Sequence, residues 1–311
     1  MNAGAAEPFD ESSVAHCYAQ VGDVRLHYVE AGKGPLVVLL HGFPEFWYAW
    51  RNQIAPLARA GFRVVALDMR GYNLSDKPAG VAAYRVPLLV DDLAGLIRAC
   101  GATRASVVGH DWGAGVAWAF AMQRPELLER IAVLNGPHPE RLLRAFRTAR
   151  QLAKSWYMLF FQLPGLPEVI ARRDNFALIT RALRDEPRRR GAFDAEDIER
   201  YVAALSQPGA LTAMLNYYRA MFRRGGSVPM KPVEAPALVI WGELDPHLER
   251  ALAVPDPRLV PRARVAYVPE ASHWVQHDQP ARVNELLIAF LRGDDELGAS
   301  APGAQPRQRL D

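Results

Sequence analysis

Cysteine is nearly missing from this chain: Cys17 and Cys100 are the only two in 311 residues. Two thiols build neither a disulfide framework nor a metal site, so no metal and no cofactor is expected. An excess of charge of one sign is also lacking. With 37 Lys and Arg against 34 Asp and Glu, the formal net charge is +3, too mild to suggest a nucleic-acid partner. Long apolar runs are absent as well, so no segment is expected to span a bilayer. Met1–Asp10 has no basic stretch followed by an apolar one, which argues against a signal peptide. A soluble cytoplasmic chain is the resulting expectation. One local cluster, Arg181, Arg184, Arg188, Arg189 and Arg190, reads as a solvated helix face or loop. What is present is apolar material: 50% hydrophobic against 23% charged residues, enough for a large packed core. The length is about two domains by the usual prior, which α/β folds often exceed in one unit.

The order of elements predicts an α/β fold with a mostly parallel central sheet flanked by helices. Val24–Glu30 alternates as an early, antiparallel strand, and Leu36–Leu40 is a continuous apolar run suited to a buried parallel strand. Phe62–Leu67, Ala105–Gly109, Ile131–Leu134, Ala237–Trp241 and Arg264–Val268 read as further strands. Helices are expected at Trp47–Ala60, Pro87–Cys100, Gly115–Gln123 and Ala281–Leu291. The stretch 137–228 breaks this rhythm, with helical periodicity and almost no strand signal. It reads as an inserted all-helical cap, leaving 1–136 and 229–292 as the two parts of the core. The tail 293–311, rich in Gly and polar residues, is expected to be disordered.

Gly109-His110-Asp111-Trp112-Gly113 has the form of a nucleophile elbow, a tight strand-to-helix turn that pushes its central side chain into a cleft. Here that residue is aspartate, already an anion at neutral pH and able to attack an alkyl carbon directly. The ester so formed must then be hydrolysed, which calls for a base. Asp245 follows the strand Ala237–Trp241, and His273 follows Arg264–Val268. The order nucleophile, acid, histidine is that of α/β-hydrolases, each member lying beyond the carboxyl end of a strand. Alone, His273 would read as a packing residue and Asp245, before Pro246, as a turn former; Glu243 rivals it as the acid. His41-Gly42-Phe43-Pro44 closes the strand Leu36–Leu40. In this fold that loop and the residue after the nucleophile supply the oxyanion-hole N–H groups, here Phe43 and Trp112.

These motifs, with Asp68-Met69-Arg70-Gly71-Tyr72, Asn135-Gly136-Pro137-His138-Pro139, Trp156–Gln162, Asn216-Tyr217-Tyr218-Arg219, Ser272-His273-Trp274 and Asp278-Gln279-Pro280, resemble the soluble epoxide hydrolases of the α/β-hydrolase fold. The likeness is greatest to the abhydrolase-type branch and runs from about Val21 to Leu291, cap included. It implies an α/β-hydrolase fold, a small apolar epoxide and water as substrates, and two cap tyrosines that protonate the departing alkoxide. The matching positions are Tyr157 and Tyr218; a phenol is protonated at neutral pH and can donate there. Without the family, Tyr157 is an aromatic on an aromatic-rich helix, and Tyr217 competes with Tyr218. The resemblance also implies a cis Phe43–Pro44 bond, which proline makes accessible at a cost of roughly 0.5–1 kcal/mol. An apolar pocket is expected around Phe43, Trp112, Met158, Phe161 and Trp274, with Met221 and Phe222 as further candidates. Asp68 and Arg70 are expected to pair with each other near a strand end, and His110 to pack rather than react.

Rival chemistries leave their own marks. Haloalkane dehalogenases share the aspartate and the tryptophan at 112, but add a second side-chain N–H donor, often where Phe43 stands. Fluoroacetate dehalogenases place arginine after the nucleophile, where this chain has Trp112, and a serine esterase needs serine at 111. A dehalogenase that takes its acid after Ile131–Leu134 would find only Asn135 there. A non-catalytic receptor for hydrophobic ligands on the same scaffold is the remaining alternative.

Overall fold

The structure is a computed structural model describing residues 9–294. The tail expected from residue 293 lies outside the described residues beyond 294, as does most of Met1–Asp10. Eight strands, β1 (Ala15–Val21), β2 (Val24–Ala31), β3 (Leu36–Leu40), β4 (Arg63–Leu67), β5 (Ala105–His110), β6 (Leu128–Leu134), β7 (Ala237–Gly242) and β8 (Ala263–Val268), form one sheet. Their order is β1-β2-β4-β3-β5-β6-β7-β8. The β1–β2 and β2–β4 pairs are antiparallel, and every later pair is parallel. β3, β5 and β7 are buried along their whole length, as the unbroken Leu and Val run of β3 and the Leu238-Val239-Ile240 run of β7 require of strands covered on both faces.

Helices α1 (Arg51–Arg59), α2 (Val86–Ala99), α3 (Trp112–Gln123), α10 (Val275–Asp278) and α11 (Pro280–Arg292) accompany the sheet. α2 packs on α3, and α1 on α11, giving a helix layer on each side. Between β6 and β7 run α4 (Pro139–Ala145), α5 (Ala149–Lys154), α6 (Trp156–Phe160), α7 (Leu166–Asp185), α8 (Ala195–Ser206) and α9 (Ala210–Met221). This helical insert is held over the sheet in part by Arg51, whose guanidinium bonds the Ala192 carbonyl at 2.7 Å and Asp197 at 2.9 Å. Among the described residues, no helix is long and apolar enough to cross a membrane.

Two expectations from sequence need correction, and one strand had gone unread. β1 carried no usable strand signal, because it is an edge strand in which only Ala19 is buried, so no apolar alternation is imposed on it. Trp47–Ala60 is not one helix but a 3₁₀ turn, Trp47–Trp50, followed by α1. Asp68 and Arg70 do not pair with each other. Arg70 makes a two-pronged bond to Asp92 at 2.7 and 2.6 Å. Asp68 instead accepts from His27 at 2.6 Å, the Asn73 amide at 2.8 Å and the Trp47 N–H at 2.9 Å.

The strand order locates the site. β3 lies between β4 and β5, so the chain leaves β3 toward one side and later returns to its other side. A crevice opens at such a switch point, beyond the carboxyl ends of the strands. The loops after β3 and β5 carry Phe43 and Asp111.

Candidate active site

Asp111 occupies the single residue between β5 and α3 and has φ of 49°, a left-handed conformation costly for a side chain other than glycine. The flanking glycines serve another purpose than positive φ. A Cβ on Gly109 would collide with the Gly113 carbonyl, and one on Gly113 with the Leu40 carbonyl. Both are therefore needed so that α3 can start against the ends of β3 and β5. The strain falls on Asp111 and directs its carboxylate into the crevice.

One carboxylate oxygen, Oδ1, accepts the Phe43 N–H at 2.9 Å. The other, Oδ2, lies 3.6 Å from His273 Nε2, and the side chain keeps 21% exposure. Trp112 opens α3, so its N–H is a donor without an intrahelical acceptor, directly after Asp111. Phe43–Pro44 is cis. Burial works against the charge on Asp111, but the hydrogen bond and positive charge of His273, with help from His110 and the Phe43 N–H, hold its carboxyl below the ordinary value.

His273 Nδ1 donates to Asp245 Oδ2 at 2.8 Å, which fixes the ring with Nε2 toward Asp111. Asp245 is fully committed. Its Oδ1 accepts the His247 and Leu248 N–H groups at 2.7 and 2.9 Å, and its Oδ2 also accepts the Asn135 amide at 2.7 Å. Burial opposes its ionisation, yet the charge and bond of His273 and the Asn135 bond bring its pKa down to about 2. Burial alone would suppress the His273 imidazolium; Asp245 and Asp111 outweigh it and raise that pKa well above the ordinary value. The rival acid, Glu243, is partly exposed and pairs with Arg250.

A two-lobed cavity meets at these groups. One lobe, of about 290 Å³, is lined by Trp112, Met158, Met221 and Phe222 with Leu142, Phe146 and Met230. The other, of about 480 Å³, is lined by Phe43, Phe161 and Trp274 with Ile179, Leu183 and Leu215. Asp111, Tyr157, Tyr218, His247 and His273 wall both lobes. Tyr157 comes from α6 and Tyr218 from α9, and their rings meet at right angles with centroids 6.0 Å apart. Burial, then the nearby Asp111 carboxylate, pushes both phenol pKa values up, so each hydroxyl keeps its proton. Tyr217 is directed elsewhere: its hydroxyl donates to the Arg70 carbonyl at 2.7 Å, away from the cavity.

Several supports had not been singled out from sequence. Arg219 ties α9 to the end of α6, bonding the Phe161 and Leu163 carbonyls at 2.9 Å and Glu168 at 2.7 and 3.0 Å. The position immediately after Tyr218 was its only signal. Behind His273, the buried Glu45 carboxylate accepts from Tyr201 at 3.1 Å and lies 2.9 Å from both His110 Nδ1 and His277 Nε2. Burial opposes the Glu45 charge, but these two imidazoles hold its carboxyl far below the ordinary range. His110 Nε2 donates in turn to the His273 carbonyl at 2.9 Å, so His110 braces the loop that carries His273 from behind. The cluster contains no thiolate, and its carboxylates are each engaged by histidine or backbone donors. What it offers chemically is an ionised carboxylate, two phenols and a charged imidazole around an apolar space.

Comparison with known proteins extends this picture. The family model for the alpha/beta hydrolase fold matches residues 35–280. An AB hydrolase superfamily protein of Bacillus subtilis, YfhM, is 46% identical over 286 residues, covering 88% of this chain and 97% of that protein. Mouse epoxide hydrolase 4 is 38% identical over 295 residues, covering 91% of this chain and 81% of its own. Among solved structures, a Bacillus megaterium epoxide hydrolase in complex with an inhibitor superimposes with a TM-score of 0.81. It is 35% identical, over 89% of this chain and all (100%) of that one.

Proposed function

The chain belongs to the epoxide hydrolases of the α/β-hydrolase fold, and from that premise we propose that it opens epoxides in two covalent steps on Asp111. In the first, Asp111 Oδ2 attacks an epoxide carbon and the ring C–O bond breaks. The alkoxide that leaves is too basic to depart unassisted, and takes a proton from Tyr157 or Tyr218. In the second, His273 Nε2 removes a proton from water, and the hydroxide adds to the Asp111 carboxyl carbon. Oδ1 becomes the oxyanion, already bonded to the Phe43 N–H, with the Trp112 N–H as second donor. Collapse expels the diol, with Oδ2 as its new oxygen; the proton held by His273 neutralises the leaving group. The proton left on the Asp111 carboxyl returns, directly or through His273, to the tyrosinate, so that Asp111 is again an anion and both phenols are whole. Water and epoxide have then been consumed for one diol. The helical insert 137–228 acts as the cap that brings both phenols to the reaction.

The observation that carries this reading is a carboxylate, not a hydroxyl, at the strained elbow, facing two protonated tyrosines across an apolar cavity. The charge logic agrees with the sequence of steps. While Asp111 is an anion it stabilises the His273 imidazolium. Esterification removes that anion, so the His273 pKa falls when a neutral base is needed.

A single turnover of excess enzyme in ¹⁸O-water tests the reading. The first diol should be unlabelled, with ¹⁸O entering Asp111 and reaching product only in later turnovers. Label in the first diol would mean that water attacks the epoxide directly, and the covalent route would fail. Offering haloalkanes alongside separates the rival dehalogenase: halide release without diol from epoxides would replace the proposed reaction.

A further inference from the structure

Five side chains wall both lobes of the cavity, and four of them already have a part in the reaction. The fifth, His247, stands two residues after Asp245 and has none. Its ring is perpendicular to that of His273 at 5.4 Å and to that of Tyr157 at 5.9 Å. A group beside it therefore sits next to the reacting carbon rather than at the far end of a long substituent.

The ring is held in one orientation. Its backbone N–H bonds Asp245 at 2.7 Å, and its Nε2 lies 2.9 Å from Glu186 Oε2. Glu186, at the end of α7, also accepts the Trp274 indole N–H at 3.2 Å. Burial works against the Glu186 charge, but His247 and the indole keep its carboxyl below the ordinary value. A carboxylate can only accept, so His247 Nε2 must carry hydrogen. In the neutral ring Nδ1 then holds a lone pair, and it has no hydrogen-bond partner among the described residues. Leu, Ile, Met, Phe and Trp make up much of the remaining lining, with Asn135, Ser155 and Ser227 the polar exceptions in one lobe and Lys154 and Glu186 in the other. His247 is thus the polar side chain that borders both lobes without a part in the reaction.

We propose that His247 is a specificity-determining residue that accepts a hydrogen bond from a hydroxyl on the carbon attached to the oxirane, so that 2,3-epoxy alcohols are preferred over alkyl epoxides of the same shape. Glu186 is its positioning residue, fixing the tautomer and the ring plane. The inference rests on epoxide turnover at Asp111, but its test need not.

Unreactive cyclopropanes give the binding arm: a hydroxymethyl-substituted and an ethyl-substituted cyclopropane, matched in shape, are titrated against the whole protein. The matched epoxides give the kinetic arm, read as the ratio of kcat/KM. Wild-type protein should favour the hydroxyl compound by about five- to tenfold, the size of one neutral hydrogen bond. His247→Phe, which keeps a flat ring, should abolish the preference in both arms. His247→Asn, which returns a polar group near Nδ1, should restore part of it. Equal preference in wild type and His247→Phe overturns the proposal even if both rates fall together, since a merely structural role would lower both substrates alike. Loss of epoxide turnover in wild type, with the binding preference intact and His247-dependent, would count against the reaction and leave the hydroxyl site supported.

Discussion

The sheet side of the active site and its helical side are held by different forces. On the sheet, Asp111, Asp245 and His273 sit just past the ends of β5, β7 and β8, and short directional bonds fix each one. Asp245 alone accepts four, from His273, Asn135, His247 and Leu248. In the insert, Tyr157 and Tyr218 are placed by ring contacts with Phe161 at 5.6 and 5.0 Å and by the Arg219 knot. Tyr157 rides on the five-residue helix α6, between Trp156 and Leu159, which are 63% and 62% exposed. Packing contacts are weakly directional, and the directional bonds to this short helix are gathered at its end, from Arg219 to the Phe161 and Leu163 carbonyls and from Gln162 to the Met158 and Tyr218 carbonyls. The comparison teaches a division of labour: the two aspartates and the imidazole are fixed by short directional bonds from the core, while the two phenols and the cavity shape depend on the less directional packing of the insert.

The largest predicted effects lie on the core side, and they separate the two chemical steps. Asp111→Ala should form no covalent adduct and lose diol production entirely. His273→Gln should still be alkylated once, then stall, with turnover reduced on the order of 10³-fold or more. Intact-mass analysis after incubation with epoxide distinguishes them. An adduct on the alanine variant, or none on the glutamine variant, would remove the covalent division of steps.

On the insert side the losses should be smaller and confined to alkylation. Tyr157→Phe or Tyr218→Phe should slow adduct formation on the order of 10²-fold, and the double variant should be nearly inactive. Adduct formed in a His273→Gln background gives the rate without interference from hydrolysis. If the double variant alkylates at the parent rate, the tyrosines belong to the packing of the insert and not to the chemistry.

The same contrast explains what the sequence could reveal. Asp111, Asp245 and His273 were readable because each follows a buried strand and stands in a short motif with a local steric reason. Tyr157 and Tyr218 came only through family resemblance, since an aromatic on an aromatic helix has no local mark of function. The partners that hold these groups were not legible. Asn135 reaches Asp245 across 110 residues of sequence, Glu45 reaches His277 across 232, and neither pairing leaves a periodic pattern. Proximity in sequence was misleading for Asp68 and Arg70, whose partners His27 and Asp92 lie 41 and 22 residues away. β1 was invisible for a related reason: an edge strand with little burial has no pattern to display.

A pH series sharpens the comparison within the core. Asp111 has a lowered pKa in the free protein, so alkylation should be insensitive to pH until well into acid. Ester hydrolysis needs neutral His273, and Asp245 still favours its protonated form after the Asp111 charge is gone. Lowering the pH should therefore slow hydrolysis first, by about tenfold per unit along its acid limb. The fraction of protein trapped as adduct at steady state should rise as pH falls, read by rapid quench and mass analysis. A fraction that declines in acid would assign the sensitive step to alkylation.

The smallest predicted effect on activity comes from the tyrosine next door, and it fixes the register of the insert. Tyr217 and Tyr218 are adjacent on α9, both buried, and differ in where the hydroxyl goes. That of Tyr217 donates to the Arg70 carbonyl, on the loop after β4, so it ties the insert to the core. Tyr217→Phe removes one hydrogen bond and leaves a buried carbonyl without that donor, which should cost about 1–2 kcal/mol of stability. For a chain of this size the fall in Tm should be a few degrees, roughly 2–4 °C per kcal/mol. The alkylation rate should change less than about threefold, the scale of a small geometric adjustment rather than a lost proton donor. Tyr218→Phe should show the opposite balance, with a large rate loss and little change in Tm. Thermal melts and single-turnover rates on the two variants, run side by side, decide it. If Tyr217→Phe proves to be the change that stops alkylation, the insert sits one helical position away from the arrangement described, and Tyr218 is the residue that packs.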